Sequence, residues 1–197
     1  MLRPPAQARF ISLADWRRQM IWESHYWKKP LLEMADRLER LKASDDLSDE
    51  QMAQIERDVF IGFYSVRKLF EAPTKVTDQT RGHTLSLQRH SNIKPVTWRN
   101  HHKLDELYDL SKSGNEIRDV LFVCGRLIHS FVFAACVSDT GGLHGAFFNS
   151  DRDKDSCLYF ITIDAVISLF RIVGNDDPCH IEWSRDEGSG EGRLVVW

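Results

Sequence analysis

The sequence lacks a hydrophobic run long enough to cross a membrane. A transmembrane helix needs roughly 20 consecutive apolar residues, and the longest candidate, Val120–Val137, is interrupted by Arg126 and His129. The first residues contain Arg3 and Arg9 but no continuous apolar stretch of the kind found in a secretory signal. We therefore predict a cytoplasmic protein with no membrane partner.

Cysteine is scarce and widely spaced. The chain contains 4 cysteines, and no two of them form a CxxC pair. Three lie inside apolar runs, where cysteine behaves as a small hydrophobic residue. We expect reduced, buried thiols at Cys124, Cys136, Cys157 and Cys179.

Common cofactor and catalytic motifs are also missing. The sequence has no P-loop, no GxSxG, no HExxH and no GxGxxG that follows a strand. Asp151, Asp153 and Asp155 have the alternate spacing with which an EF-hand loop begins. However, Ser156 replaces the glycine of that loop and Thr162 replaces its bidentate glutamate, which favours a solvated turn. We predict no cofactor and no metal ion.

The overall charge gives no indication of a partner. The chain has 197 residues, is 42% hydrophobic and 28% charged, and carries a formal net charge of -3. This composition is typical of a globular protein, and the length suits one domain with an appendage. A charged partner must therefore be inferred from local clusters.

The first part of the chain has a helical pattern. Apolar residues recur at intervals of seven over Leu13–Leu41, which predicts a helix that opens at Ser12. Pro30 should kink this helix or divide it in two. A second helix begins at Ser48, where the sequence SDEQ matches a capping box. We predict a helical hairpin that forms an extension over residues 1–72.

Aromatic residues occupy more than one face of the first predicted helix. Such residues are enriched at protein interfaces. The candidate interface residues for a homo-oligomer are Trp16, Trp22, Tyr26 and Trp27.

Residues 73–197 have a mixed pattern. A helix is predicted from Asn115, a short helix from Asp164, and a hairpin at the end of the chain. Three strand-like runs joined by turns lie between the two helices, at Phe131–Val137, Leu143–Asn149 and Leu158–Ile163. The fold class is therefore α+β, with an antiparallel sheet of about five strands packed with two helices.

The most unusual segment is QTRGHTLSLQRHSNIKPVTWRNHHKL, residues 79–104, which contains no Asp or Glu. It should form a positive patch that attracts phosphates or carboxylates, with Trp98 as a stacking surface. The alternative is a connecting segment with two solvated edge strands, Thr84–Gln88 and Val96–Trp98. The candidate ligand-binding residues are Arg81, Arg89, Trp98, Arg99 and Lys103.

Three functions fit this pattern. We favour a non-enzymatic binding or regulatory protein whose basic segment contacts nucleic acid or an acidic protein. A metal-independent ribonuclease is the second hypothesis, because histidine can act as general acid and base while Arg or Lys stabilises the transition state. Its candidate catalytic residues are His83, His90, His101, His102 and His129. The third hypothesis is an assembly protein that uses the first helix. His129 is also suited to closing a helix C-terminus.

Overall fold

A computed structural model describes residues 23–185 and 192–197. The helices of this part are α1 His25–Lys42, α2 Asp49–Glu71, α3 Asp78–Arg81, α4 Leu104–Leu107, α5 Val120–Ile128 and α6 Ile163–Asn175. The strands are β1 Thr84–Ser91, β2 Gly114–Asp119, β3 Ser130–Val137, β4 Leu143–Ser150, β5 Cys157–Thr162, β6 Ile181–Arg185 and β7 Gly192–Val196. The α+β class is confirmed. The predicted helix start at Ser12 lies outside the described residues, as do Trp16 and Trp22.

The helical hairpin is formed by α1 and α2. Ser48 and Gln51 form the predicted capping box: the Gln51 amide donates to Ser48 Oγ at 3.3 Å, and the Ser48 amide donates to Gln51 Oε1 at 2.9 Å. Pro30 lies within α1, which continues through it, so a division of the helix there was wrong. Only one intrahelical bond is lost at Pro30, because a proline lacks just its own amide donor.

Five strands form one antiparallel sheet in the order β2-β1-β5-β4-β3. The strand predicted at the edge over Thr84–Gln88 is β1, which lies between β2 and β5. The other predicted edge strand, Val96–Trp98, is not a strand but belongs to a turn-rich connection. The predicted C-terminal hairpin is present as a separate two-stranded sheet of β6 and β7.

The helix predicted to have its N-cap at Asn115 has its N-cap four residues later. Residues Gly114–Asp119 form β2, and α5 starts at Val120. Asp119 is the actual N-cap, since its Oδ1 accepts a hydrogen bond from the Phe122 amide at 2.7 Å. A carboxylate at this position satisfies one of the free amides of the first turn.

One face of the sheet is covered by helices. Apolar side chains of α1, α2, α5 and α6 share a single buried cluster with this face. Burial of apolar surface is the main driving force for this packing. Representative members are Leu38, Phe63, Leu87, Leu127, Phe148, Ile161 and Phe170.

The opposite face is covered at one end by the connection between β1 and β2. A second cluster forms there from Val96, Leu107, Tyr108, Val132 and Leu158. Inside it, the Tyr108 hydroxyl donates to the Lys154 carbonyl at 2.8 Å and accepts from Asn149 Nδ2 at 2.7 Å. This polar pair fixes the connection to the sheet.

The helical hairpin and the sheet meet in a close backbone contact. A Cβ atom on Gly142 would overlap the carbonyl oxygen of Lys42, and one on Gly141 would overlap that of Asp45. Gly141 also has a φ of 92°, which favours glycine. The hairpin and the sheet therefore share one hydrophobic core, and their backbones are also in close contact at Gly141 and Gly142. The division of the chain into an extension over residues 1–72 and a second part over residues 73–197 stays a prediction, because it depends on whether the two parts fold independently.

Candidate functional site

The connection between β1 and β2 carries an exposed turn, residues 94–103, which we call the tip. Trp98 is 71% exposed, and the Arg99 guanidinium lies 5.0 Å from the centre of its ring. The base of the tip is anchored because the Val96 amide donates to Asp155 Oδ1 at 2.7 Å. Asn100 Oδ1 accepts from the Thr97 amide at 2.7 Å. The tip thus presents a cation and an indole ring on an ordered turn.

The basic side chains of residues 79–104 do not form one surface. Arg81 donates to the carbonyls of Phe70 and Ala72 at the end of α2, and burial lowers its pKa. Two further predicted ligand residues have acidic neighbours: Arg89 lies 3.6 Å from Glu116, and Lys103 lies 3.1 Å from Glu106. Of the predicted ligand residues, Trp98 and Arg99 are the exposed pair without a carboxylate neighbour within the described ranges.

Only two of the candidate catalytic histidines are brought together. The rings of His101 and His102 lie 5.9 Å apart. His83 is half-buried after α3, and His129 is exposed at the end of α5. Within the described part of the chain, no ring contact or hydrogen bond joins His83, His90 or His129 to another histidine.

His90 is 4% exposed and has a structural environment. Its Nδ1 lies 3.2 Å from the Asp109 carbonyl and 3.1 Å from the Lys112 carbonyl, so Nδ1 carries the proton and donates. Its ring packs against Phe147, with 5.6 Å between centres. The buried Nε2 has no hydrogen-bond partner among the described residues. His90 ties β1 to the segment before β2.

Of the four predicted interface residues, Tyr26 and Trp27 lie in the described part of the chain. Tyr26 is 76% exposed, while Trp27 is half-buried and its ring lies 6.4 Å from that of Tyr64. Ile61 is also exposed on α2, one position beyond the half-buried Phe60. The aromatic surface of α1 therefore continues onto α2.

A basic cleft that the sequence did not reveal lies between α2, α5 and the β4–β5 turn. Its volume is about 490 Å³. Its lining residues are Arg67, Gly125, Arg126, His129, Ser150, Asp151 and Arg152. Of these residues, His129 was a predicted catalytic candidate. The three arginines, Arg67, Arg126 and Arg152, come from three separate segments of the chain. No local concentration of charge in the sequence indicates them.

Ion pairs organise the walls of the cleft. Arg126 Nε lies 2.8 Å from Asp153 Oδ2, although its N–H does not point along a hydrogen bond, and the guanidinium packs 4.2 Å from the centre of the Phe122 ring. On α2, Arg67 Nε donates to Glu71 at 2.7 Å, and this hydrogen bond raises the pKa of Arg67. The same contact, followed by one from Lys68, lowers the pKa of Glu71.

The β4–β5 turn is confirmed as a turn, and its three aspartates have different partners. Asp151 pairs with Lys154, Asp153 with Arg126, and Asp155 accepts the Val96 amide. The described residues contain no group of three or more His, Cys, Asp or Glu side chains placed to hold a metal ion. The aspartates stabilise the turn and its neighbours.

The tip and the cleft lie at the same end of the sheet. Phe131 follows His129 by two residues, and its ring lies 5.9 Å from that of His101 in the tip. Lys154 lies two residues after Arg152 in the β4–β5 turn. Its Nζ lies 4.5 Å from the centre of the same Phe131 ring. Phe131 therefore separates the tip from the cleft.

Similarity to other proteins gives no functional information. Comparisons of the chain with protein-family models, with curated proteins and with solved structures find no match. Among the helices described, none is both long and apolar enough to span a bilayer.

Proposed function

We propose that the protein is a non-enzymatic binding module whose tip contacts single-stranded nucleic acid. The observation that carries the proposal is the exposed Trp98 ring with the Arg99 guanidinium beside it. Every base offers a flat face, so an exposed aromatic ring can stack on it with little sequence preference, and arginine adds a contact to phosphate.

Nucleic acid suits the tip better than an acidic protein does. Of the five Lys and Arg residues in residues 79–104, only Lys94 and Arg99 are exposed in the tip without a carboxylate neighbour among described residues. Two free cations give weak attraction to an acidic surface, which salt screens. An acidic protein partner would also leave the exposed indole unexplained.

The test is fluorescence anisotropy with a labelled single-stranded RNA at several salt concentrations. Trp98→Ala should weaken binding by about 5- to 150-fold, since a stacked base contributes about 1–3 kcal/mol. Arg99→Gln should weaken it and reduce the salt dependence by about one phosphate contact. The matched control is Trp183→Ala, which removes another exposed tryptophan and should leave affinity unchanged. Equal affinity of all variants would disprove the proposal, and binding of an acidic peptide instead would support the other partner class.

The ribonuclease hypothesis is favoured by one contact, that between the rings of His101 and His102, which follow Arg99 closely in the sequence. One imidazole would take a proton from the attacking hydroxyl, and the other would protonate the leaving oxygen. Cleavage of the same RNA should then resist EDTA, depend on pH with a bell-shaped profile, and disappear in His101→Ala or His102→Ala. The exposed His25 supplies the control, His25→Ala. Intact RNA after incubation with the wild-type protein would rule this function out.

A homo-oligomer is the third proposal, supported by the exposed side chains of Tyr26 and Tyr64, with the half-buried Trp27 ring beside Tyr64. Exposed apolar patches often mark protein interfaces. Light scattering after size exclusion should give a multiple of the 22.9 kDa chain mass for the wild-type protein and a smaller mass for Tyr26→Ala. Trp183→Ala is again the control, and a monomeric wild-type protein would end this proposal.

We further propose a cytoplasmic location. The proposal is supported by four cysteines that are all free, which is the usual state in a reducing compartment. Fractionation of the source cells, with a cytoplasmic enzyme as marker, tests it.

A further inference from the structure

Gly125 has no evident packing role in α5. A Cβ atom at this position would meet nothing within 4 Å. By contrast, a Cβ on Gly62 in α2 would overlap the Phe170 ring, so that glycine is required for helix packing. Glycine inside a helix is less stable than alanine. An open helix glycine that lines a cleft is therefore better explained by the space that it leaves.

The charges around this space do not cancel. Glu71 is paired with Arg67 and Lys68, Asp153 with Arg126, and Asp151 with Lys154. Arg152 is exposed in the same wall and has no carboxylate neighbour among the described residues. The lining of the cleft thus holds three arginines against one carboxylate, that of Asp151. The His129 ring adds an N–H donor.

The position of two of these basic groups, Arg126 and His129, is explained by the C-terminus of α5. The last carbonyls of a helix carry a partial negative charge, which Arg126 and His129 offset from their positions at the C-terminus. Arg152 lies in the β4–β5 turn and Arg67 on α2, so neither belongs to the end of α5. The excess cations come from outside that helix.

We propose that this cleft binds a phosphate group. Arginine matches phosphate because its planar guanidinium donates two parallel hydrogen bonds to two oxygens. The volume of about 490 Å³ lies in the range of small-molecule sites and leaves room for a larger compound that carries the phosphate. Gly125 forms the open floor, and Arg152 is the residue free to close on the ligand.

The phosphate could come from a small phosphorylated compound or from the backbone of a strand bound at the tip. The chemistry recognised in the cleft is the same in both cases. The inference does not rest on the proposed function, because the cleft residues are distinct from Trp98 and Arg99. Failure of one proposal therefore leaves the other standing.

The test is a titration of the ¹⁵N-labelled protein with inorganic phosphate, with sodium chloride at equal ionic strength as the reference. The amide signals of Gly125 and Arg152 should shift and saturate with phosphate but not with chloride. Gly125→Ala should fill the floor, and Arg152→Gln should remove the free guanidinium, so each should weaken phosphate binding at least tenfold. Absence of a saturable shift, or unchanged binding in both variants, would overturn the proposal.

The matched control is Gly114→Ala. A Cβ at Gly114 also meets nothing within 4 Å, and this residue lies at the start of β2, outside the cleft. Its phosphate affinity should equal that of the wild-type protein. Thermal unfolding of Gly125→Ala should show a melting temperature no lower than that of the wild type, which separates a filled cleft from a damaged fold.

A second titration distinguishes the two sources. A single-stranded oligonucleotide without terminal phosphates should displace inorganic phosphate from the Gly125 signals if the cleft takes backbone phosphates. If the cleft takes a small phosphorylated compound, the oligonucleotide should leave those signals bound to phosphate. Trp98→Ala should not change the titration with inorganic phosphate. A loss of phosphate binding in Trp98→Ala would contradict a separate site.

Discussion

Asp58 on α2 accepts two hydrogen bonds from Arg37 on α1, at 2.9 Å from Nε and 2.8 Å from Nη2. The Asp58 side chain is buried, whereas that of Arg37 is about one-third exposed. Gln54 Nε2 also donates to Asp58 Oδ1 at 2.8 Å. This bidentate pair orders the helical hairpin, since a buried carboxylate needs donors for its charge.

Arg37→Ala should destabilise the protein by about 2–3 kcal/mol, because it leaves Asp58 buried with only part of its hydrogen bonds. Urea unfolding monitored by circular dichroism measures the change. Arg40→Ala on the same helix removes an exposed arginine and should change stability by less than about 0.5 kcal/mol. Similar losses in both variants would show that the pair contributes little.

Gly142→Ala should destabilise the protein by at least about 1–3 kcal/mol. The added methyl group would overlap the Lys42 carbonyl, so either the β3–β4 turn or the end of α1 must move. The melting temperature reports the change, and Gly114→Ala serves as the control because its Cβ position is open. Equal melting temperatures for the two variants would contradict the close contact.

Stability should fall as the pH rises from about 10 towards 12. Burial raises the pKa of Tyr108 from 10.0 to about 12. Because the folded state holds this proton more tightly than the unfolded state, the stabilisation is complete below pH 10 and is lost as the pH approaches the folded value. A difference of two pKa units corresponds to about 2–3 kcal/mol.

Tyr108→Phe provides the check on this assignment. The variant should lose about 1–2 kcal/mol at pH 7, since the hydrogen bonds with Lys154 and Asn149 disappear. It should also lose less stability than the wild type between pH 10 and 12. Burial raises the pKa of Tyr159 to about 12 as well, so part of the alkaline loss should remain. Parallel pH curves for the two proteins would refute a role for Tyr108.

The cysteines should differ in reactivity, contrary to the expectation of four buried thiols. Cys179 is exposed, whereas Cys124 is buried and its pKa is raised by burial to about 12. Thiolate is the reactive form, so iodoacetamide at pH 8 should label Cys179 at least about tenfold faster than Cys124. Peptide mass spectrometry gives the rates, and labelling in urea is the control. Equal rates in the folded protein would mean that Cys124 is accessible.

Local signals in the sequence predicted several elements well. The capping box at Ser48 and the strands after Phe131 were found because cap chemistry and alternation act over a few residues. The start of α5 was misplaced because Asn115 and Asp119 are both suitable caps. The choice between them depends on β1, which pairs with residues Gly114–Asp119 from a distant part of the chain.

The candidate site was harder to predict because it depends on tertiary contacts. Trp98 and Arg99 could be identified from the acid-free segment around them. The burial of Arg81 against the end of α2 could not, since nothing near Arg81 in sequence indicates that contact. The cleft brings together Arg67, Arg126 and Arg152, whose common surface exists only once α2, α5 and the β4–β5 turn have packed.

The anchored base of the tip affects how any ligand would bind there. Val96 is held by Asp155, and Asn92 pairs with Tyr108 across the same connection. The turn that carries Trp98 has therefore lost most of its conformational freedom on folding. A ligand that stacks on the indole would meet a nearly rigid surface, so its affinity would be reduced little by ordering of the loop.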